Sequence, residues 1–335
     1  MRIGLALGYH GEPMTEILPL VEHAERVGVD SVWSVEEYGA DGVSVLAYLA
    51  ARTERIRLGT GILQLAGRTP ANTAMTALTL DILSEGRLLL GLGVSVPWIV
   101  EGWHGVPYGR PLARTREYVE ILRKAIRCDE RVTHDGEYYQ LPYRGPSKAR
   151  PVKALLDPVR STIPTYLAGI GPGMVRLAGE IADGWLPGFY SPEREKIITA
   201  PLDEGLKRAG REPGEVDIAV ITHAVRTRDL DRARDELRPL YAAYLGPNLP
   251  GVRNTYFDLA CEIGFEAEAE TIRAHHREGR RAEAIAAVPD ALLDEVALLG
   301  PLPRIIDRLA AWKESRAGTL ALITRDRTLL EAVAA

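Results

Sequence analysis

Apolar residues along this chain follow two spacings. Residues 2–8, 31–35, 56–63, 88–94, 164–169, 184–186, 216–222 and 319–323 form short, nearly continuous apolar runs. Strands covered on both faces have this character, whereas a half-exposed strand alternates apolar with polar positions. Between the first two runs, Ile17, Leu20, Val21, Ala24 and Val27 share one face at helical spacing. Gly28 follows where a helix ends in a left-handed residue. Thr69-Pro70 opens another helix, with threonine as the cap and proline at the first helical position. Residues 111–127 group Tyr118, Leu122 and Ala125 and predict a further helix. Residues 132–141 break the rhythm, because a turn at Asp135-Gly136 between two β-prone stretches predicts a hairpin. A long helical tract, residues 230–312, precedes the last apolar run, and Ile305, Leu309 and Trp312 mark its closing helix.

Eight short apolar strands separated by helices predict an α/β fold, a (β/α)8 TIM barrel with a helical insertion before the last strand. No repeat, low-complexity tract or linker divides the chain, so residues 1–335 are expected to form a single domain. In such a barrel the chemistry sits on the loops that follow the strands. Here those loops begin at Tyr9-His10-Gly11, Glu36-Glu37-Tyr38, Gly61-Ile62-Leu63, Val94-Ser95-Val96, Gly169-Ile170-Gly171-Pro172, Pro187-Gly188 and Thr222-His223. Their glycines let a ligand approach the backbone closely.

A net charge of −5 disfavours nucleic-acid or anionic-membrane partners, which select basic surfaces. The two cysteines, Cys128 and Cys261, match neither a redox nor a zinc spacing. The N-terminal apolar stretch is too brief for a signal peptide, and no run is long enough to span a bilayer. A cytoplasmic protein acting on a small-molecule substrate is expected. The seven histidines form no metal-binding pair, so no metal is expected. His10 and His104 fall in mouth loops, either as structural histidines or as proton carriers. Hydrolase signatures with a nucleophilic serine or cysteine are missing.

The sharpest local signal is Leu167-Ala168-Gly169-Ile170-Gly171-Pro172-Gly173, between a strand and the amphipathic run that Met174 begins. N–H groups at a helix N-terminus attract a phosphate. The loop does not match the dinucleotide fingerprint, and the next strand ends in Leu186-Pro187 without a ribose-binding acid. It reads either as a phosphate cradle or as a plain tight turn. Gly91-Leu92-Gly93-Val94-Ser95 is a second glycine-rich strand end, and it can serve packing alone. Glu36 and Glu37 are neighbours on an extended segment, so their side chains diverge. A carboxyl held beside an apolar cofactor face has a raised pKa and can donate a proton, although acids at strand ends are also common as a solvated pair. Trp98, Trp103 and Tyr108 crowd one mouth loop, where aromatics stack on planar rings or anchor the loop.

Several stretches, in chain order, resemble one family. They are Asp30-Ser31-Val32-Trp33 running into Glu36-Glu37-Tyr38-Gly39, and Arg52-Thr53-Glu54-Arg55 running into Gly59-Thr60-Gly61. Ser84-Glu85-Gly86-Arg87, Glu101-Gly102-Trp103-His104-Gly105 and Ala182-Asp183-Gly184-Trp185-Leu186-Pro187 complete the set. The chain resembles the luciferase-like flavin and deazaflavin oxidoreductases, in particular the coenzyme F420 branch with methylene-tetrahydromethanopterin reductase-like members. The resemblance implies a cofactor held against a bulge after the third strand, with a non-proline cis peptide at Gly61-Ile62. It implies backbone contacts from Val94, Ser95, Ala168, Gly169, Ile170, Gly171 and Met174, with Glu36 near the cofactor's tail or ring edge. Glu37 is the first expected proton donor and His10 the second. Tyr9, Val96, Trp98, Trp185 and Tyr244 are expected to line the substrate pocket, and residues 244–287 to form a lid.

Sugar-phosphate dehydrogenases of the family carry an acid shortly after the glycine of the fourth strand. Val96-Pro97-Trp98 stands there instead, which argues against sugar-phosphate oxidation and for a more hydrophobic pocket. The implied activity is hydride transfer from reduced F420 to a C=C, C=N or C=O bond, in a homodimer. The alternatives are an FMN-dependent monooxygenase and, in another class, a non-catalytic flavin-binding barrel.

Overall fold

The computed structural model describes residues 1–8, 13–247 and 251–334. Its eight barrel strands are β1 (Arg2–Ala6), β2 (Ser31–Ser34), β3 (Arg57–Thr60), β4 (Leu88–Gly93), β5 (Thr165–Ala168), β6 (Gly184–Leu186), β7 (Asp217–Arg226) and β8 (Ala317–Ile323). Each pairs in parallel with the next, and β7 joins both β6 and β8, so the ring closes. The helices are α1 (Met14–Arg26), α2 (Gly42–Ala50), α3 (Pro70–Leu83), α4 (Pro97–Gly102), α5 (Pro111–Arg127), α6 (Pro172–Ile181) and α7 (Glu195–Ala209). After β7 come α8 (Leu230–Leu245), α9 (Thr255–Glu262), α10 (Glu266–Arg277), α11 (Arg281–Ala286), α12 (Asp290–Val296) and α13 (Leu302–Glu314), and α14 (Arg327–Ala334) follows β8. Local chemistry sets several of their ends. The Thr69 side chain accepts from the Asn72 N–H and caps α3, and Gly28 takes φ +92 just after α1.

The strands' alternation builds two cores. Outward residues such as Val32, Leu58, Leu90, Val220 and Leu322 pack under the helices, against Leu49, Leu78, Leu122 and Leu309 among others. Inward residues Ala6, Trp33, Leu89, Tyr166, Leu186, Ala219 and Ala321 fill the lumen. Trp33 and Tyr166 meet edge to face at 5.4 Å. Their bulk fits because glycines stand opposite them: a Cβ on Gly59 would lie 2.4 Å from the Trp33 ring. Beneath them, the Asp217 carboxylate accepts from Tyr166 (2.9 Å) and Thr319 (3.2 Å) and pairs with Arg2 (2.6 Å). This charged floor closes the N-terminal end of the barrel. Burial and the adjacent carboxylate push the Tyr166 phenol well above its usual range.

Two expectations are corrected. The third apolar run is split: pairing stops at Thr60 and resumes at Leu63–Gln64 alongside β4, with a cis peptide at Gly61-Ile62 between them. The tract before β8 is not wholly helical. Leu298–Gly300 is a strand that pairs with the extended end of β7, Ala224 to Arg226. Three residues are too few to disturb a helical periodicity, so only their partner reveals them. The predicted hairpin is present, His134–Asp135 against Gln140–Leu141. Among the described residues, no helix is long and apolar enough to cross a membrane.

Candidate active site

The C-terminal mouth is built from strand ends that narrow to small residues. Gly61 and Gly93 face inward here; a Cβ on Gly93 would lie 2.9 Å from Ile62 and 3.4 Å from Ala168. Ile62, Ala168, Ile221 and Ile323 are partly buried and pack on the inner core. The result is a flat, apolar floor with Gly61-Ile62 as a ledge along one side.

Polar groups stand around this floor. Glu36 leaves β2 and accepts from Arg68 through both oxygens, at 2.5 and 3.0 Å, and from the Gly42 N–H at 3.2 Å. Arg68 also reaches Asp41 at 2.7 Å, and Asp41 caps α2 by accepting from the Ser44 N–H. Burial raises the Asp41 carboxyl, but Ser44 and Arg68 outweigh it and hold the pKa below the usual carboxylate value. The protein's own donors thus engage both oxygens of Glu36, and the acid ties the loops after β2 and β3 together. Glu37 is half-buried beside it. Its backbone carbonyl accepts from Gln64 Nε2 at 2.7 Å, and Gln64 Oε1 lies 3.2 Å from His104 Nε2. Through this chain His104, from the loop after β4, steadies the Glu37 loop.

Ser95 adopts φ +57 at the end of β4, and its carbonyl accepts from the Tyr108 hydroxyl at 3.4 Å. Val94 and Val96 are half-buried next to it. Trp98 is 56% exposed and lies 5.8 Å from the Tyr38 ring, which makes the pair a rim to the opening. On the far side, α6 begins at Gly171 with no side-chain cap. Ile170 and Gly171 share a cleft with Arg253, Thr255 and Asp258. Arg253 stands by this uncapped helix N-terminus, where an anion is favoured; it is ion-paired to Asp258, and Glu262 lines the same cleft. A Cβ on Gly171 would lie 3.1 Å from Thr255, and one on Gly188 3.1 Å from Tyr256, so α9 rests on the loops after β5 and β6. Tyr244 stacks on Tyr256 at 4.5 Å, with Phe189 behind them. Of the expected lid, Tyr244 and the start of α9 stand on this side of the mouth.

One expected site residue is corrected. Trp185 is buried at 1% exposure and its indole N–H donates to the Gly169 carbonyl at 2.9 Å. It lies between inward Gly184 and Leu186, so alternation turns it toward the helices, where it shapes the β5 loop from behind. The Met174 side chain is also buried and packs against Gly169, where it holds that turn. Tyr9 and His10 lie outside the described residues. Three residues went unassigned by sequence reasoning: Arg253, Tyr256 and His223. Only His223 carried a signal, as the end of a predicted strand. The other two sit in the helical insertion, whose approach to the mouth is a tertiary fact. Among the described residues, no group of His, Cys, Asp or Glu is placed to hold a metal ion.

The profile of the family described as luciferase-like monooxygenase matches residues 1–319. A Mycobacterium tuberculosis protein named as a coenzyme F420-dependent oxidoreductase is 38% identical over 330 residues, 97% of this chain and 95% of the relative. A 5,10-methylenetetrahydromethanopterin reductase of Methanolobus tindarius is 33% identical, over 67% of this chain and 64% of its own length. Among solved structures, the coenzyme F420-dependent tetrahydromethanopterin reductase of Methanopyrus kandleri superposes with a TM-score of 0.80 at 22% identity. That match covers 100% of this chain and 98% of the other. A profile spanning nearly the whole chain, with a full-length relative beside it, places the protein in the luciferase-like monooxygenase family.

Proposed function

We propose that the protein is an oxidoreductase, a reductase that uses coenzyme F420 to reduce a polar or activated double bond of a small organic molecule. The observation that carries this reading is the apolar floor at the mouth, where the partly buried Ile62, Ala168, Ile221 and Ile323 offer a surface to a planar ring beside the Gly61-Ile62 ledge. The full-length similarity to a relative named as F420-dependent supports the choice of deazaflavin. The residues present fit such a group. Backbone groups of Val94, Ser95, Gly169, Ile170 and Gly171 edge the floor, and the uncapped α6 with Arg253 suits a phosphate. When bound, F420 supplies the hydride. The chain's own work is to orient the ring, exclude water and bring a proton to the product, for which Glu37 is the candidate. Glu36 positions the Glu37 loop through Arg68.

The exposed apolar side chains Tyr48 on α2 and Met75 and Leu83 on α3 support a homodimer built on that face. Sedimentation of the wild type beside Met75→Glu tests it; a wild-type monomer removes the idea. The cofactor reading is tested by titrating the protein's tryptophan fluorescence with oxidised F420 and with FMN in parallel. Tight F420 binding with weak FMN binding is expected. Tight FMN binding without F420 binding points instead to a flavin monooxygenase.

A further inference from the structure

His223 stands on the inner wall of the mouth. Alternation along β7 turns Val220, Thr222 and Ala224 toward the helices, with Thr222 donating to the Val296 carbonyl. Ala219 and Ile221 face the lumen, so His223 faces it too. In the closed ring β7 stands opposite β3. Ile221 spans the lumen, its Cδ1 lying 2.8 Å from where a Cβ on Gly61 would be. His223 is the next inward residue toward the mouth, about 7 Å further along the strand. It therefore faces the Gly61-Ile62 ledge across the opening. Its surroundings on the floor, Ile62, Ala168 and Ile323, are apolar. Burial is the sole influence on its imidazole and pushes the pKa down to about 4. At neutral pH the ring is uncharged, with one N–H donor and one acceptor nitrogen.

We propose that His223 is the substrate-side hydrogen-bond donor of this site, directed at the heteroatom of the bond being reduced, so that the substrates are carbonyl or imine compounds. This rests on the reading that the cofactor ring lies on the ledge. Were the ring held on the ledge, His223 would stand across from it, on the side of the mouth open to substrate. A C–H bond forms on the substrate carbon with the electron pair of the hydride that reduced F420 supplies. The π pair of the C=O or C=N bond then passes to oxygen or nitrogen. The proton that completes the alcohol or amine comes from the Glu37 carboxylic acid, which solvent reprotonates, and His223 keeps its own proton throughout. A fixed N–H aimed where negative charge develops stabilises that step more than the bound ground state. In a carbon–carbon double bond, even one activated by a nitro group, the atom beside the hydride-accepting carbon is carbon, so the His223 N–H would have no acceptor on the bond being reduced.

The test has two parts, both on the full chain. Histidine side-chain 1H–15N spectra are recorded during titration with oxidised F420, and His223 is assigned from His223→Gln. A ring-induced shift of the His223 signals is expected, with the F420 affinity of His223→Gln and His223→Phe unchanged. Absence of F420 binding removes the cofactor reading and this proposal with it. Binding that leaves the His223 signals unmoved, or a large loss of affinity in His223→Gln, overturns this proposal alone. Oxidation of reduced F420 is then followed with cyclohexanone, benzaldehyde, pyrroline and a nitroalkene. Turnover of a carbonyl or imine is expected, with kcat falling about 100-fold in His223→Phe at little changed KM. His223→Gln, which keeps a donor, should recover part of that loss. An unaltered kcat in His223→Phe, turnover confined to the nitroalkene, or no carbonyl or imine turnover overturns the proposal.

Discussion

At the residue scale, the two adjacent acids after β2 divide their work by what surrounds them. Glu36 is held by Arg68 and the Gly42 N–H and behaves as a strut. Glu37 is bound to the scaffold through its backbone carbonyl, which fixes the residue in place. A proton donor needs this arrangement, because general acid catalysis depends on position first and pKa second. If Glu37 is the donor, Glu37→Gln lowers kcat about 100-fold and leaves the F420 dissociation constant unchanged. Steady-state kinetics beside a fluorescence titration checks both. Loss of F420 binding with preserved turnover per bound cofactor would move Glu37 from the proton's path to the cofactor's seat.

At the element scale, the hairpin after α5 is tied down by one acid of that helix. Glu117 accepts from the backbone N–H groups of Glu137, Tyr138 and Tyr139 at 2.9, 2.9 and 3.0 Å. Burial raises its pKa, but those three donors with His134 outweigh the burial, and the carboxyl sits below its ordinary value of 4.5. A carboxyl whose folded pKa is depressed adds stability that is complete above its unfolded value and disappears as pH falls through the folded one. Glu117→Leu should cost about 1–2 kcal/mol at neutral pH. The gap in Tm between the variant and the wild type should then close as pH drops below 4.5. A gap that stays constant into acid would mean that the leucine change acts through packing and not through the charge.

At the scale of the whole molecule, the barrel separates stability from chemistry by its two ends. The N-terminal end is closed by Asp217 with Arg2, Tyr166 and Thr319, while the C-terminal end is left open above Trp33. Asp217→Ala leaves the buried Tyr166 and Thr319 hydroxyls without their shared acceptor and should lower stability by about 1–3 kcal/mol. Denaturant unfolding measures that loss, and an F420 titration of the folded variant should match the wild type. A weakened F420 affinity would show that strain at the floor reaches the mouth.

The linear order of residues by itself determined the number and type of barrel strands, because continuous apolar runs between helical periods report burial on both faces. It also placed the mouth loops and, through family resemblance, the cis peptide at Gly61-Ile62. The hairpin and the caps at Thr69 and Gly28 were legible for the same reason, since each rests on interactions within a few residues. What only the tertiary structure decided depends on which way a side chain turns and what stands across from it. Trp185 looked like a mouth residue until alternation turned it outward, and Met174 proved to be a buried prop for Gly169. The strand at Leu298–Gly300 exists because β7 runs past the barrel to receive it. His223 and Arg253 meet the site only when the ring closes and α9 folds back over it, which are contacts between segments far apart in the chain. Local patterns record burial and backbone preference, whereas the shape and electrostatics of a site belong to residues that chain order keeps apart.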